Sequence, residues 1–316
     1  MIIKKIDKLL LSKKSDSVFL SEKWLNLFDD ELQAYGIFSK NDVLIGGFTM
    51  RLEKKLGFIN FYHNLSYTPT INLFFENKAQ NKAKKLSENK KMLKLFVDFI
   101  ESLPYYMVTL YLPHVHIDMQ PFYWKNYKAI PNFTYVIDLN RSIEAIEKDF
   151  STERRNDIKK AIKDGIETRL CTDYNVVKSL IKNTFDRKQA SVDDVMVDKI
   201  LFEFADKGNS FAFVSYRGDT PIATSFCIYD NAKAYYLLGG YDSKNKHAGA
   251  GAMAVSNAIK YSLELGISKF DFEGSMLPEV EKYFRGFGGD LTPYYSVNKA
   301  KMPIELLLKF VKRTHF

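Results

Sequence analysis

The sequence predicts an α/β protein built from two similar units with mixed sheets, and three observations predict it. In the C-terminal half, the β-rich runs "FAFVSYR" (211–217), "PIATSFCIYD" (221–230) and "KAYYLLGGYD" (233–242) are separated by "GDT" and "NA", the pattern of an antiparallel meander. A glycine-bearing loop, "SKNKHAGAG", follows, then an apolar stripe at helical spacing (Ala252, Val255, Ile259, Leu263) that Gly266 ends. The N-terminal half repeats this order of elements.

In that half, "AYGIFSK" and "VLIGGFTMRLE" flank an Asn-Asp turn, and "FINFYHN" completes the meander. A helix fits 86–103, "YYMVTLYL" (105–112) is a strand, and "PFYWKNY" (121–127) leads into a last strand, "NFTYVIDL" (132–139). The C-terminal half continues likewise. In "KFDFE" (269–273), Phe270 and Phe272 point one way while Asp271 and Glu273 point the other. Pro278 suits a first helical turn, and Val280, Tyr283, Phe284 and Phe287 give that helix an apolar face. "TPYYSVNK" (292–299) is the closing strand. Trp124-Lys125-Asn126-Tyr127 echoes Phe284-Arg285-Gly286-Phe287 as aromatic, base, small, aromatic.

The expected organisation is a unit over 1–140, a charged helical linker over 141–165 carrying Arg154 and Arg155, and a unit over 166–300. An amphipathic helix over 301–316 follows, with Leu306, Leu307, Phe310 and Val311 on one face and Lys309, Lys312 and Arg313 around it.

Composition narrows the function. With 46% hydrophobic and 27% charged residues, the 316-residue chain reads as globular and not disordered. The start, "MIIKKIDKLLLSKKSD", is broken by lysines and reads as no signal peptide, and no run approaches the ~18 apolar residues of a membrane span. Two isolated cysteines, Cys171 and Cys227, fit a reducing compartment, so the expected location is cytoplasmic, including the inner face of the membrane. A net charge of +8 favours anionic partners: nucleotides, RNA or lipid headgroups. "HVH" (114–116) sets two imidazoles on one face of an expected strand, yet no third ligand lies nearby, so no metal is expected.

Meander, loop, helix, strand, short helix, strand resembles the GNAT acyltransferase fold. Two such units in one chain joined by "STERRNDIKKAIKDG", with "FDFEGS…YFRGFGG" and "PFYWKNY…TYVIDL", resemble the FemAB-like peptidyltransferases and the BioF2-like acyltransferases. The resemblance implies acyl transfer to an amine, with acyl-CoA as donor and aminoacyl-tRNA as the alternative. The acceptor would be a small molecule or a cell-envelope precursor, and no protein partner is implied. A catalytically silent module of the same fold is the rival reading. GNAT enzymes commonly carry Arg/Gln-x-x-Gly-x-Gly/Ala before the long helix; here Lys246-His247-Ala248-Gly249-Ala250-Gly251 stands there, with Lys in place of Arg/Gln. A glycine-lined helix start still offers N–H groups to a pyrophosphate. The long coiled-coil insertion of several tRNA-using relatives is lacking.

On this reading Lys246, Gly249 and Gly251 hold the donor, with Gly239 and Tyr241 lining the cleft beside it. Glu273 is the candidate base, or else a cap on the following helix. Arg285 is placed beside the developing oxyanion, or else bridges to Glu281 one helical turn back. Tyr283 is the candidate acid, or else core. Tyr62, His63 and Tyr67, in "YHNLSYTP", together with Trp124, Arg154 and Arg155, are expected to contact substrate.

Overall fold

The structure is a computed structural model describing residues 1–28, 31–187, 193–274, 276–302 and 304–311. Lys312 and Arg313, expected to extend the C-terminal helix, lie outside the described residues. The fold is mixed α/β, and the chain divides into two compact units, Met1–Asn132 with Pro293–Phe316, and Phe133–Thr292.

The chain first forms β1 (Ile2–Lys5), α1 (Lys8–Ser12), α2 (Glu22–Leu25), β2 (Leu32–Phe38), β3 (Leu44–Lys55), β4 (Ile59–His63) and β5 (Phe74–Phe75). Next come α3 (Lys82–Ser102), β6 (Met107–Leu112), α4 (Gln120–Tyr123) and β7 (Lys128–Asp138). Then follow α5 (Ile143–Asp149), α6 (Thr152–Lys163), β8 (Ile166–Leu170), α7 (Tyr174–Arg187) and α8 (Asp194–Asp198). The meander β9 (Ser210–Arg217), β10 (Thr220–Tyr229) and β11 (Lys233–Tyr241) leads to α9 (Ala250–Glu264) and β12 (Lys269–Asp271). Last are α10 (Pro278–Arg285), β13 (Asp290–Ala300) and α11 (Ile304–Val311).

In the first unit β1 to β4 pair antiparallel in sequence order, β6 joins β4 in parallel, and β13 closes antiparallel on β6 with Leu112 opposite Tyr295. In the second unit β8 to β11 pair antiparallel, β12 joins β11 in parallel, and β7 closes antiparallel on β12 with Val136 opposite Asp271. The pairing schemes are the same, but each half of the sequence gives its last strand to the other unit. This is why the units do not follow the sequence boundary near residue 140. Alternation along β7 and β13 marks them as strands and carries no information about which neighbour they meet.

The segment expected as a linker is two short helices of the second unit. Ser142 and Ser151 cap α5 and α6 by accepting the Ala145 and Arg154 N–H groups. α6 packs on α9 through Ala161 and Ile158, beside Ala250 and Met253. The elements β8, α7 and α8 had no counterpart in the sequence reading. "HVH" is a turn, not a strand: His116 Nε2 meets the Leu73 carbonyl at 2.9 Å and its ring stacks on Phe75.

In the first unit, Phe48, Phe96 and Phe122 pack between α3 and the sheet, each stabilising by about 1.5–3 kcal/mol. Glu101, at the end of α3, ties β13 into that unit. It accepts the Tyr105 and Tyr127 hydroxyls at 2.8 and 2.7 Å and the Lys299 ammonium at 2.9 Å. Burial pushes the Glu101 carboxyl up, but these donors outweigh it and hold the group below the usual carboxylate range. Lys299→Met should therefore destabilise the first unit by about 1.5–3 kcal/mol at neutral pH, the scale of a hydrogen bond to a charged group. A depressed carboxyl pKa contributes stability above its unfolded value and loses it as pH falls through its folded one. Denaturant titrations should accordingly show the difference between Lys299→Met and the parent shrinking in acid.

Candidate active site

The site is built where β11 and β12 part. They pair in parallel only from Lys233 to Tyr235 against Lys269 to Asp271, and β11 then runs on to Tyr241 after β12 has ended. Just past the parting, Tyr236 pairs with Cys227 and Leu238 with Phe226, so Leu237 is a β-bulge with no ladder partner in β10.

Alternation sorts the side chains at the parting onto two faces. On one face is Asp271, buried and accepting from Thr134 Oγ1 at 2.6 Å, Lys233 Nζ at 2.9 Å and the Glu273 N–H at 3.0 Å. Glu273 sits in the left-handed region, φ 60°, a conformation costing a non-glycine residue about 1–2 kcal/mol. The Asp271 carboxylate receives its N–H and holds it there. Burial, then the Asp271 charge, pushes the Glu273 carboxyl well up, with Lys233 opposing. The same acids, Asp230 and burial above all keep the Tyr235 hydroxyl protonated.

On the other face Phe270, Phe272, Phe284 and Phe287 form an aromatic core with Tyr236 and Tyr283. Pro278 opens α10, and its apolar stripe turns Phe284 inward, as the spacing predicts. Tyr283 is covered by the Arg154 guanidinium, 4.7 Å from its ring centroid. Arg154 is buried and paired at 2.9 Å with both Glu153 and Asp157. A side chain on Gly251 would press against the Tyr283 hydroxyl, so that hydroxyl lies over the first turn of α9. Burial pushes the Tyr283 hydroxyl well up, Arg154 pulling it back only in part.

The start of α9 has no side-chain cap of the usual kind. His247 serves in part: its Nδ1 accepts the Gly249 N–H at 3.1 Å, which leaves Nε2 to donate to Asp164 at 3.0 Å. Lys160, then His247, holds the Asp164 carboxyl down at about 2. Lys246 is exposed, and among the described residues it has no ion-pair partner.

The expected site residues divide accordingly. Glu273, Tyr283, Arg154 and Gly251 gather around the parting of β11 and β12 and the start of α9. A Cβ on Gly249 would lie 2.0 Å from the Asp157 carbonyl oxygen, so the approach of α6 requires glycine there. A Cβ on Gly239 would meet the Tyr236 hydroxyl, and one on Gly240 the backbone of α7 at Leu180. Tyr241 is tied to α7, its N–H donating to Thr184 Oγ1 at 2.8 Å. Arg285 forms the helical bridge to Glu281, Nε to Oε1 at 2.8 Å, and Glu281 also takes the Tyr135 hydroxyl at 2.5 Å. The Arg285 guanidinium is mostly exposed and takes the structural one of its two expected partners. Arg155 closes the α5–α6 junction by donating to the Lys148 and Phe150 carbonyls.

In the first unit, Tyr62 is a core residue of β4, and burial raises its hydroxyl. His63 lies 3.6 Å from Glu53, Tyr67 adopts φ 54°, and Trp124 stands exposed at the end of α4 under Lys90. Sequence reasoning missed Asp271, Lys233, Tyr236 and the Leu237 bulge. The polar alternation of "KFDFE" contained the first. The others needed the partner strand.

Residues 152–285 match the family model Acetyltransf_6, an acetyltransferase (GNAT) domain. Among solved structures the chain is similar to FemX, with 11% identity and a TM-score of 0.69 over 98% of this chain and 100% of that one. It is similar to the C-terminal domain (DUF2156) of a putative lysylphosphatidylglycerol synthetase from Agrobacterium fabrum, at 9% identity and TM-score 0.60 over 95% and 93%. A tandem GNAT protein from the clavulanic acid biosynthesis pathway is similar at 8% identity and TM-score 0.51 over 94% and 97%. No curated protein matches by sequence. Residues 152–285 thus match an acetyltransferase (GNAT) domain, within a chain that has the fold of FemX and tandem GNAT proteins.

Proposed function

We propose that the second unit transfers an acyl group from acyl-CoA to an amine. The observation that carries this reading is the parted β11–β12 pair, with a candidate base on one face and a buried tyrosine hydroxyl on the other. The amine would enter on the Glu273 face, lose its proton to that carboxylate and attack the thioester carbonyl. The C–S bond would then break on the Tyr283 face, where the hydroxyl donates a hydrogen bond to the departing sulfur. Because its pKa is raised, Tyr283 keeps its proton through the working pH range, so its role is to donate a hydrogen bond rather than to give the proton up. Gly251 in the first turn of α9 and Lys246 before it suit the donor's pyrophosphate.

Calorimetric titration with CoA tests the donor. Gly251→Ala suits a helix interior and presses only on the Tyr283 hydroxyl, so it should weaken CoA by about tenfold, or 1.4 kcal/mol, with the melting temperature kept. Gly249→Ala should instead lower stability by about 1–3 kcal/mol through overpacking against α6, with or without CoA. Absence of CoA binding together with acceptance of an aminoacyl ester on tRNA would select the alternative donor. Absence of turnover with either would select the silent module.

Glu273→Gln should cut the acyl-transfer rate by about 10²–10⁴-fold, the range for a positioned general base. Since burial raises this carboxyl, its basic form appears only as pH rises through the raised value. The parent's kcat/KM should therefore climb with pH above the ordinary carboxylate range, and the variant should lack that limb. Stability runs the opposite way. A raised carboxyl favours folding below its unfolded pKa and loses that contribution as pH rises through the folded one. Glu273→Gln should thus melt higher than the parent in alkali and match it in acid. Full activity with an unchanged pH profile removes Glu273 from the chemistry.

A further inference from the structure

One end of the first unit presents apolar side chains to solvent on two separate elements. The tip of the β3–β4 hairpin carries Leu56 and Phe58, 81% and 64% exposed. α11 buries none of its residues, and Leu306, Leu307, Phe310 and Val311 are all exposed, Phe310 by 87%. A line of backbone hydrogen bonds joins the two regions: Tyr106 donates to the Asn60 carbonyl at 2.9 Å, and Lys301 to the Tyr106 carbonyl at 2.8 Å. The hairpin tip, Tyr106, Met302 and α11 therefore share one rim of the sheet.

The charges on that rim are cationic in balance. Glu53 lies 3.5 Å from Lys55, and Glu305 is paired at 2.6 Å with Lys309. Lys54 and Lys301 are exposed beyond these pairs. A second copy of this chain is a poor occupant, because a two-fold contact would set the cationic rim against itself. An anionic surface with an apolar interior satisfies both the charge and the apolar side chains. One eight-residue helix binds such a surface weakly, and stable attachment takes a second element, which the hairpin tip provides.

We propose that this rim of the first unit seats on an anionic lipid bilayer, with α11 lying in the interface and the Leu56–Phe58 tip inserted beside it. The proposal is independent of the acyl-transfer chemistry.

The test is co-sedimentation of the full chain with vesicles of phosphatidylglycerol and phosphatidylcholine, against vesicles of phosphatidylcholine alone. Binding to the first and not the second, released by raised salt, is expected. Leu307→Asp with Phe310→Asp, and separately Leu56→Asp with Phe58→Asp, should each weaken it by about tenfold or more. These side chains are exposed, so the melting temperature should hold. Lys54→Glu with Lys301→Glu should also weaken binding by about tenfold or more. No binding to phosphatidylglycerol vesicles, or binding that both apolar pairs leave unchanged, overturns the proposal. So does a concentration-dependent dimer that the same pairs abolish, since the rim would then be covered by a second copy.

Discussion

Asp271 is buried at the end of β12 and takes three hydrogen bonds, from the Thr134 hydroxyl, the Lys233 ammonium and the Glu273 backbone. These donors come from β7, β11 and the turn after β12, so one carboxylate joins three segments. Charge-assisted bonds of this kind are roughly twice as strong as neutral ones, and burial makes the loss of any partner costly. The left-handed backbone at Glu273 depends on it, because strain persists only where the surroundings over-determine it. Through that turn Asp271 also sets where β12 stops, and so where β11 continues alone.

A second constraint shapes the opposite face. α6 lies so close to α9 that Gly249 has no room for a side chain, and this approach carries Arg154 over Tyr283. Arg154 is neutralised by Glu153 and Asp157, so it is less a free cation for a ligand than a polarising lid on a phenol. The two faces thus hold opposite kinds of group. On one is a carboxyl whose own burial makes it basic; on the other is a hydroxyl whose burial keeps it protonated. Burial raises the pKa of both groups, the Glu273 carboxyl and the Tyr283 hydroxyl alike.

Much of this was legible in the sequence, and the reasons differ by element. The meander, α9 and the alternation of "KFDFE" follow from period and turn chemistry, which are local. The opposite faces of Glu273 and Tyr283 were legible because polar alternation and an apolar stripe say which face each occupies. The surroundings of the glycines were not legible, because a glycine that admits a ligand and one that admits a neighbouring helix look alike until the neighbour is in place: a Cβ on Gly240 would meet Leu180, and one on Gly249 would meet Asp157. Arg285 had two partners on offer, and the one a single turn away won, since a local pair needs no tertiary arrangement. The helices α5 and α6 read as a linker because their charges hide short apolar contacts at Ile146 and Ala161.

The exchange of last strands has a consequence for how the chain is made. As synthesis proceeds, β1 to β6 emerge with the outer edge of β6 unpaired, and that edge waits until Tyr295 has been translated to meet Leu112. The strand that emerges soon after β6, β7, instead joins β12, which is itself made much later. An open, apolar strand edge in a nascent chain is a template for pairing with other chains. Of these strands β13 is made last, and it is the one that covers β6. A truncation before Asp290 would remove β13 and leave that edge bare.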